Sequence, residues 1–346
     1  MTHLRASIRL NNDVDARTYA ALTEAAEDAG FDQVWVSHDL TLRAAPVMVA
    51  AAAHRTRRLH LGVGIMNPYS VHPAELAMVA ATLQEVTDGR FLLGLGAGAE
   101  RFLAWAGLRR DEPLARTAEA VRAVRTLLAG GRPVDVGGTG AGWTGEAHLR
   151  IDPLPDPPPL YLGVMGPRML RLAGAEGDGA LPLLLPPEHW GTVRREVAAG
   201  LAAAGRDPDD LDLAACVWVS VDDDPDRARR LLAAKLAYYG PSLAPSALAL
   251  VGVAPEDFRP AAAALAAGDE AAMLARVTPD MLRVGIAGDA DEVAARAATL
   301  VDAGARHVSF GPPLGPDPVA AVTLLGRRVL PALRHRAAAA GGGDAA

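Results

Sequence analysis

The sequence contains very little cysteine and almost no lysine. Of its 346 residues one is a cysteine, Cys216, and one is a lysine, Lys235, so arginine carries nearly all the basic charge. A single cysteine excludes a disulfide within the chain. Because Cys216 lies in the apolar run LDLAACVWVSV, we expect it to be a small buried hydrophobe rather than a nucleophile. The excess of arginine and alanine is typical of a GC-rich genome.

Long apolar runs and a basic surface are also missing. No run of about 18 apolar residues occurs, and the opening MTHLRASIRLNNDVD lacks the basic-then-apolar order of a signal peptide, so we expect a cytoplasmic protein without membrane contact. The net charge is −7, with acids and arginines interspersed, which argues against nucleic acid as a partner. No spacing of His, Cys and carboxylate residues indicates a metal site. These absences favour a small-molecule ligand.

Short apolar runs alternate with longer helical patterns along the chain. This alternation predicts parallel strands joined by crossover helices, and half of the residues are hydrophobic, which is enough for a large core. We predict a (β/α)8 TIM barrel of the α/β class, in one domain over residues 1–336, with a disordered tail at 337–346. The eight strands are predicted at 6–10, 33–37, 59–65, 91–96, 160–164, 179–183, 211–221 and 307–310.

Two stretches interrupt this alternation. Residues 131–158 are rich in glycine and proline, and we predict a surface insertion with a short hairpin. Residues 222–283 are helical and alanine-rich but too long for one crossover, which predicts a helical insertion after strand seven that caps the barrel. Residues 283–288 have an irregular strand-like pattern. Active sites of such barrels lie beyond the carboxyl ends of the strands, so the loops that follow the strands are the candidates.

The loops after strands two and three carry polar or flexible residues. His38 and Asp39 follow the second strand, where a histidine can exchange protons and a carboxylate can hold it or bind a polar cofactor edge. A solvated loop pair is the alternative. After the third strand, Gly64 precedes a β-branched residue and Asn67 precedes a proline. The backbone there can bulge or turn cis against a planar ring, or form an ordinary tight turn.

The loops after strands four and five are rich in glycine. Around Gly96 and Gly98 the third glycine of a dinucleotide-binding fingerprint is missing, which favours a backbone surface for a flat ligand. Glu100 is either a functional carboxylate or the negative start of a helix. After the fifth strand, residues 163–168 place glycine, proline and Arg168 at a helix start. That arrangement suits a phosphate, with an ordinary helix start as the alternative.

Three long runs together resemble one enzyme family: GVGIMNPYSVHPAELAMVAATLQEVTDGRFLLGLGAG, LYLGVMGPRMLRLAGAEGDGAL and AGDADEVAARAATLVDAGARHVSFGPPLGPDPVAAVTLLG. They are similar, over nearly the whole chain, to the F420-dependent branch of the luciferase-like superfamily typified by methylenetetrahydromethanopterin reductases. The resemblance implies a barrel that binds coenzyme F420 and transfers a hydride between C5 of the deazaflavin and a small organic substrate. An FMN-dependent monooxygenase and a non-catalytic, cofactor-binding partner subunit are the alternatives.

The resemblance also implies roles for the four loops. His38, Asp39 and Glu100 would handle protons, and Gly64-Ile65 would form a cis-peptide bulge behind the ring. The order His38-Asp39 reverses the family's order, and Ala99 stands where the reductases often carry an acid. A homodimer or homotetramer is implied, while the bacterial coding bias argues against methanopterin itself as the substrate. The remaining implied cofactor contacts are Ser37, Asn67, Gly96, Gly98, Ala99, Gly163, Val164, Met165, Gly166, Pro167 and Arg168.

Overall fold

The strands of the protein are all parallel. The computed structural model describes residues 3–140, 142–182 and 186–341, and every strand pairing within these ranges is parallel. The strands are β1 (Arg5–Leu10), β2 (Gln33–Val36), β3 (His60–Met66), β4 (Phe91–Gly96), β5 (Leu160–Val164), β6 (Gly179–Pro182), β7 (Asp212–Val221), β8 (Ile286–Gly288) and β9 (His307–Leu314).

Eight of these strands close into a ring. The order runs from β6 through β5, β4, β3, β2 and β1 to β9 and β7, and a pairing of β6 with β7 completes the circle. The predicted TIM barrel is therefore confirmed. The strand-like segment near residue 286 is a true strand, β8, which pairs with residues 219–221 of β7 while β6 pairs with residues 212–213. β9 pairs along the other edge of β7. β8 and β6 therefore share one edge of β7, with β8 nearer its carboxyl end.

The last strand extends further than the sequence indicates. Beyond the predicted 307–310 it continues to Leu314 through a cis Pro312-Pro313 bond. Residues of β7 hold it there, with Ser220 paired to Leu314. Prolines lack an N–H for pairing, so the sequence by itself indicated an earlier end.

The helices begin and end where local signals place them. Asp15 caps α1 by accepting from the backbone N–H groups of Arg17 and Thr18, and Gly30 follows it with a φ of 81°. The helices are α1 (Ala16–Asp28), α2 (Ala45–Ala52), α3 (Pro73–Val86), α4 (Glu100–Trp105), α5 (Pro113–Leu128), α6 (Pro167–Glu176), α7 (Trp190–Ala203), α8 (Pro225–Tyr239), α9 (Pro245–Leu248), α10 (Arg259–Ala266), α11 (Glu270–Leu274), α12 (Pro279–Leu282), α13 (Ala290–Asp302), α14 (Pro318–Leu324) and α15 (Leu330–Gly341).

No hairpin forms in the described part of the glycine- and proline-rich insertion, residues 131–140 and 142–158. Within its described residues the regular structure is a 3-10 turn at Pro133–Asp135, so the predicted hairpin is wrong. The segment is held by side chains: the Trp143 indole donates to the carbonyl of Thr139 and its ring lies 5.1 Å from that of His72. Prolines remove the N–H groups that a two-stranded ladder needs, which explains the irregular path.

The helical insertion after β7 has its own small core. Helices α8 to α12 enclose Phe258 and Leu236, both fully buried, and pack on Trp218 at the upper end of β7. The predicted insertion thus lies at the barrel mouth. At the other end of the chain, the segment expected to be disordered is helical as far as Gly341, and residues 342–346 lie outside the described ranges. Within those ranges, no helix combines the length and apolar character that crossing a bilayer needs.

A buried polar network fills the foot of the barrel. The Asp212 carboxylate accepts the Tyr161 hydroxyl at 2.6 Å, pairs with Arg5 at 2.6 Å and lies 3.0 Å from Nδ1 of His307. Nε2 of His307 lies 2.8 Å from the Ser7 hydroxyl. Serine, histidine and aspartate stand in the order of a hydrolytic triad, but Ser7 and His307 have no exposed surface. The network therefore ties strands together at the end opposite the mouth.

Candidate active site

A cavity of about 490 Å³ opens at the carboxyl ends of the strands. Its volume lies in the range of small-molecule sites, and all four predicted loops contribute to it. The lining residues are Arg9, Leu10, Asn11, Trp35, Ser37, His38, Asp39, Leu40, Gly64, Ile65, Asn67, Ala97, Gly98, Ala99, Phe102, Leu103, Arg110, Pro113, Gly163, Met165, Gly166, Met169, Trp218, Lys235, Tyr239 and Pro312.

Glycine backbone and the side chain of Ile65 form the wall of this cavity at β3, β5 and the loop after β4. The Gly64-Ile65 peptide bond is cis, as the family resemblance implied, and the β3 ladder shifts register between Val63 and Met66. The Ile65 side chain occupies the space in front of its neighbours: a Cβ on Gly163 would lie 2.5 Å from Ile65 Cγ2, and one on Gly96 would lie 3.3 Å from Ile65 Cγ1. Glycine is therefore required on the strands that Ile65 covers.

Asn67 holds the end of β3 and points an amide into the cavity. Its Oδ1 accepts from the backbone N–H groups of Tyr69 and Ser70, at 3.1 and 2.9 Å. These donors fix which side-chain atom is the oxygen. The Nδ2 group beside Gly98 has no hydrogen-bond partner among the described residues, so it can donate to a ligand.

The start of α6 offers free amides at the cavity rim. Gly166 occupies the N-cap position without a side-chain cap, and Pro167 opens the helix. Gly166 and Met165 line the cavity, whereas Val164 is buried beneath it, and Pro167 and Arg168 are exposed outside the lining. Uncapped amides at a helix start attract anions. The predicted phosphate position is thus at the rim, with Arg168 beyond it.

His38 lies at the mouth as a neutral imidazole. The backbone N–H of Ala45 donates to its Nδ1 at 3.2 Å, which places the ring proton on Nε2. Burial lowers the pKa of His38 below its ordinary value. Since Nε2 has no partner among the described residues, His38 can donate a hydrogen bond to an oxygen in the cavity.

Asp39 is the acid that lines the cavity, and Asn12 positions its loop. Burial raises the pKa of the Asp39 carboxyl, while the charge of Lys235 opposes that rise. The fully buried Asn12 donates from Nδ2 to the carbonyls of Asp39 and Arg43, at 3.0 and 2.7 Å. Its Oδ1 accepts the Ser37 hydroxyl at 2.9 Å. Asn12 is a positioning residue, and no sequence pattern pointed to it.

Glu100 lies outside the cavity lining. Its side chain is 74% exposed and pairs at 3.2 Å with Arg110, which also donates to the carbonyl of Gly98. Glu100 is the first residue of α4, where a negative charge is favoured by the helix dipole. The helix-start interpretation accounts for its position. Gly96 does not line the cavity either, because it is buried beneath the lining residues.

Four further residues complete the cavity on the side of β1, β7 and α8. They are Arg9, Trp218, Lys235 and Tyr239, and sequence reasoning did not select them. Burial lowers the pKa of the Lys235 ammonium to about 8, with the nearby Arg9 charge acting in the same direction. The one available signal was that Lys235 is the only lysine in the chain.

Comparisons with known proteins identify the family of the chain. A model of the luciferase-like monooxygenase family matches residues 1–307. A 5,10-methylenetetrahydromethanopterin reductase of Archaeoglobus fulgidus is 33% identical over 314 residues, covering 89% of this chain and 93% of that protein. An F420-dependent glucose-6-phosphate dehydrogenase of Beutenbergia cavernae is 33% identical over 350 residues, covering 95% and 98%.

A solved structure is similar over almost its entire length. The coenzyme F420-dependent tetrahydromethanopterin reductase of Methanopyrus kandleri superposes with a TM-score of 0.86 at 29% identity, covering 95% of this chain and 99% of that one. This chain belongs to the luciferase-like monooxygenase family.

Proposed function

We propose that the protein is an F420-dependent oxidoreductase that transfers a hydride between the deazaflavin and a small organic substrate. The observation that carries the proposal is the cavity wall at β3, β5 and the loops after β4 and β5, where Gly64, Gly98, Gly163 and Gly166 line the cavity and the Ile65 side chain lies against Gly163. Such a wall admits a flat ring closely. F420-dependent relatives that cover most of the chain support the same cofactor.

The residues on this wall fit the parts of that cofactor. The Nδ2 group of Asn67 can donate to the ring edge, because its oxygen is already occupied by backbone donors. The uncapped start of α6 at Gly166 can receive the phosphate of the cofactor stem. When bound, F420 supplies a deazaflavin carbon that accepts or releases a hydride.

Two side chains can serve the substrate. The neutral imidazole of His38 presents an N–H at Nε2, which can stabilise negative charge that develops on a carbonyl or alcohol oxygen. Asp39, whose pKa is raised by burial, can exchange a proton closer to neutral pH than an exposed aspartate. Glu100 has no part in this proposal because it is exposed and paired with Arg110. A cytoplasmic homodimer or homotetramer, with residues 1–336 as one domain, stays a prediction.

Side-by-side titration with F420 and FMN tests the cofactor. F420 is expected to bind with quenching of its fluorescence, and FMN to bind weakly. The matched pair of variants is Gly166→Val and Gly145→Val. A Cβ meets nothing within 4 Å at either position, but only Gly166 lines the cavity. Loss of one well-placed phosphate contact is expected to weaken F420 binding by about tenfold or more in Gly166→Val.

Gly145→Val is the control and should bind F420 as the parent does. Thermal unfolding without cofactor checks that Gly166→Val remains folded, since valine is a poorer helix cap than glycine. Tighter binding of FMN than of F420, with retained yellow absorbance after purification, would contradict the proposal in favour of a flavin monooxygenase. Equal F420 affinity in both variants would show that the start of α6 does not contribute to cofactor binding.

A further inference from the structure

Arg9 is a buried cation, and no carboxylate among the described residues pairs with it. Its side chain comes from β1, and the residue is only 8% exposed. One guanidinium nitrogen donates to the carbonyl of Val217 at 2.9 Å, while Nε is buried without a partner among the described residues. Gly311 leaves room for it, since a Cβ there would lie 2.4 Å from Nη2. A buried guanidinium with an unmet donor favours an anion beside it.

Lys235 is a second cation at the same side of the cavity. Its Nζ lies 5.1 Å from the ring centre of Trp218 and 5.0 Å from that of Tyr239. Aromatic faces stabilise an ammonium without neutralising it. Among the described residues no carboxylate pairs directly with Lys235, although Asp39 and Asp13 are close enough to affect its pKa. Nζ donates no hydrogen bond to another described residue, so the ammonium can donate to a ligand.

The two cations lie across the barrel from the glycine wall. In the ring order, β3, β4 and β5 stand opposite β7, β9 and β1. A flat ring on the glycine wall would thus leave Arg9 and Lys235 facing the space on its open side, where a substrate must bind. Of the charged residues that line the cavity, Arg110 is already paired with Glu100, and Asp39 alone carries negative charge. The open side therefore has a net positive charge.

We propose that Arg9 and Lys235 form an oxyanion subsite, so that the substrate carries a carboxylate or phosphate monoester group. This inference rests on the proposed function, since it assigns the open side of the same cavity to the substrate. Arg9 supplies the positive charge of its guanidinium and Lys235 that of its ammonium, and both residues line the cavity. The anion neutralises two charges that otherwise repel each other, and it orients the reacting carbon toward the ring.

Selective acylation of Lys235 tests the subsite without any knowledge of the substrate. Because the chain has no other lysine, peptide mapping after brief treatment with acetic anhydride reports this amine alone. The F420-loaded protein is treated with benzoate, phenyl phosphate or the neutral benzamide. Benzoate or phenyl phosphate at about ten times its dissociation constant is expected to slow acylation about tenfold by mass action, and benzamide to leave it unchanged. Which of the two anions protects better distinguishes a carboxylate from a phosphate site.

Arg9→Met is expected to abolish the protection, and Arg90→Met is its matched control. Arg90 is also buried and donates to the carbonyls of Ala53 and Leu59, away from the cavity, so its loss should leave protection intact. If Arg9→Met fails to fold, Lys235→Met keeps the subsite testable. Calorimetric affinity for the protecting anion should then fall about tenfold, as for loss of a charged hydrogen bond.

Three results would overturn the subsite: equal protection by benzamide, protection by F420 with no further effect of either anion, or no protection at all. F420 fluorescence is recorded on the same samples, so the two proposals fail separately. Protection by an anion without F420 binding would leave the subsite and refute the cofactor. F420 binding without anion protection would refute the subsite and leave the cofactor proposal standing.

Discussion

At the scale of single residues, the protonation state of His38 follows from one hydrogen bond. The N–H of Ala45 needs an unprotonated Nδ1, and burial lowers the pKa of the ring. We expect a midpoint below the ordinary histidine value of about 6.5 in a pH titration of ¹⁵N-labelled histidine side chains. The signal that disappears in a His38→Asn variant assigns the residue.

The linked effect on stability has a definite sign. The unfolded chain binds a proton at His38 more readily than the folded protein does, so the free energy of unfolding is expected to fall as the pH drops through about 6.5. In His38→Asn this part of the pH dependence should vanish. A titration midpoint at or above the ordinary value would contradict the lowering of the His38 pKa by burial.

At the scale of elements, the helical insertion positions α8 and therefore Lys235. Gly240 follows the last residue of α8, and an added Cβ would lie 2.2 Å from Cγ of the fully buried Phe258. Gly240→Ala is expected to reduce stability by about 1–3 kcal/mol through overpacking. Hydrogen exchange should quicken over residues 240–282, and acylation of Lys235 should quicken with it.

Gly191→Ala provides the matched control for this prediction. Gly191 lies on the exposed side of α7, where a Cβ meets nothing within 4 Å, so alanine should be neutral or stabilising by up to about 1 kcal/mol. If Gly240→Ala left hydrogen exchange in the insertion unchanged, α8 would not depend on the packing of Phe258.

At the scale of the whole molecule, the barrel separates stability from function between its two ends. The Asp212 network at the foot joins β1, β2, β5, β7 and β9, and the cavity lies at the mouth. Asp212→Asn leaves Arg5 and His307 without their carboxylate and is expected to cost about 3 kcal/mol of stability. Urea unfolding measures this change, and F420 affinity should stay unaltered.

The contribution of Asp212 to stability depends on pH. Burial by itself would raise the pKa of Asp212. Interactions with His307, Arg5 and Tyr161 outweigh burial and hold this pKa far below its ordinary value. The stabilisation is therefore complete above about pH 4 and is lost as the pH falls further. The control is Asp209→Asn, since Asp209 forms an exposed pair with Arg306 and should contribute less than about 1 kcal/mol. Equal losses in both variants would contradict a structural role for the network.

Much of the fold could be predicted because its signals are local. Apolar runs, the capping glycines at Gly30 and Gly304, and the proline that begins α3 all act within a few residues. The strand predictions were wrong where the extent of a strand depends on pairing with a strand distant in the sequence. β9 continues to Leu314 because Ser220 pairs with it, and β8 exists because the upper part of β7 has a free edge. The hairpin prediction failed because glycine and proline indicate only that a segment is not helical.

The sequence by itself determined the candidate loops at residues 37–39, 64–67, 98–99 and 163–166, since each follows a recognisable strand and parallel strands end at one face. Only the tertiary structure decided that Glu100 faces solvent and that Arg9 and Lys235 share a cavity. The physical reason is that the residues next to a charged residue in the sequence do not show which residue will pair with it. Whether it is paired, buried or free depends on atoms that other strands bring beside it.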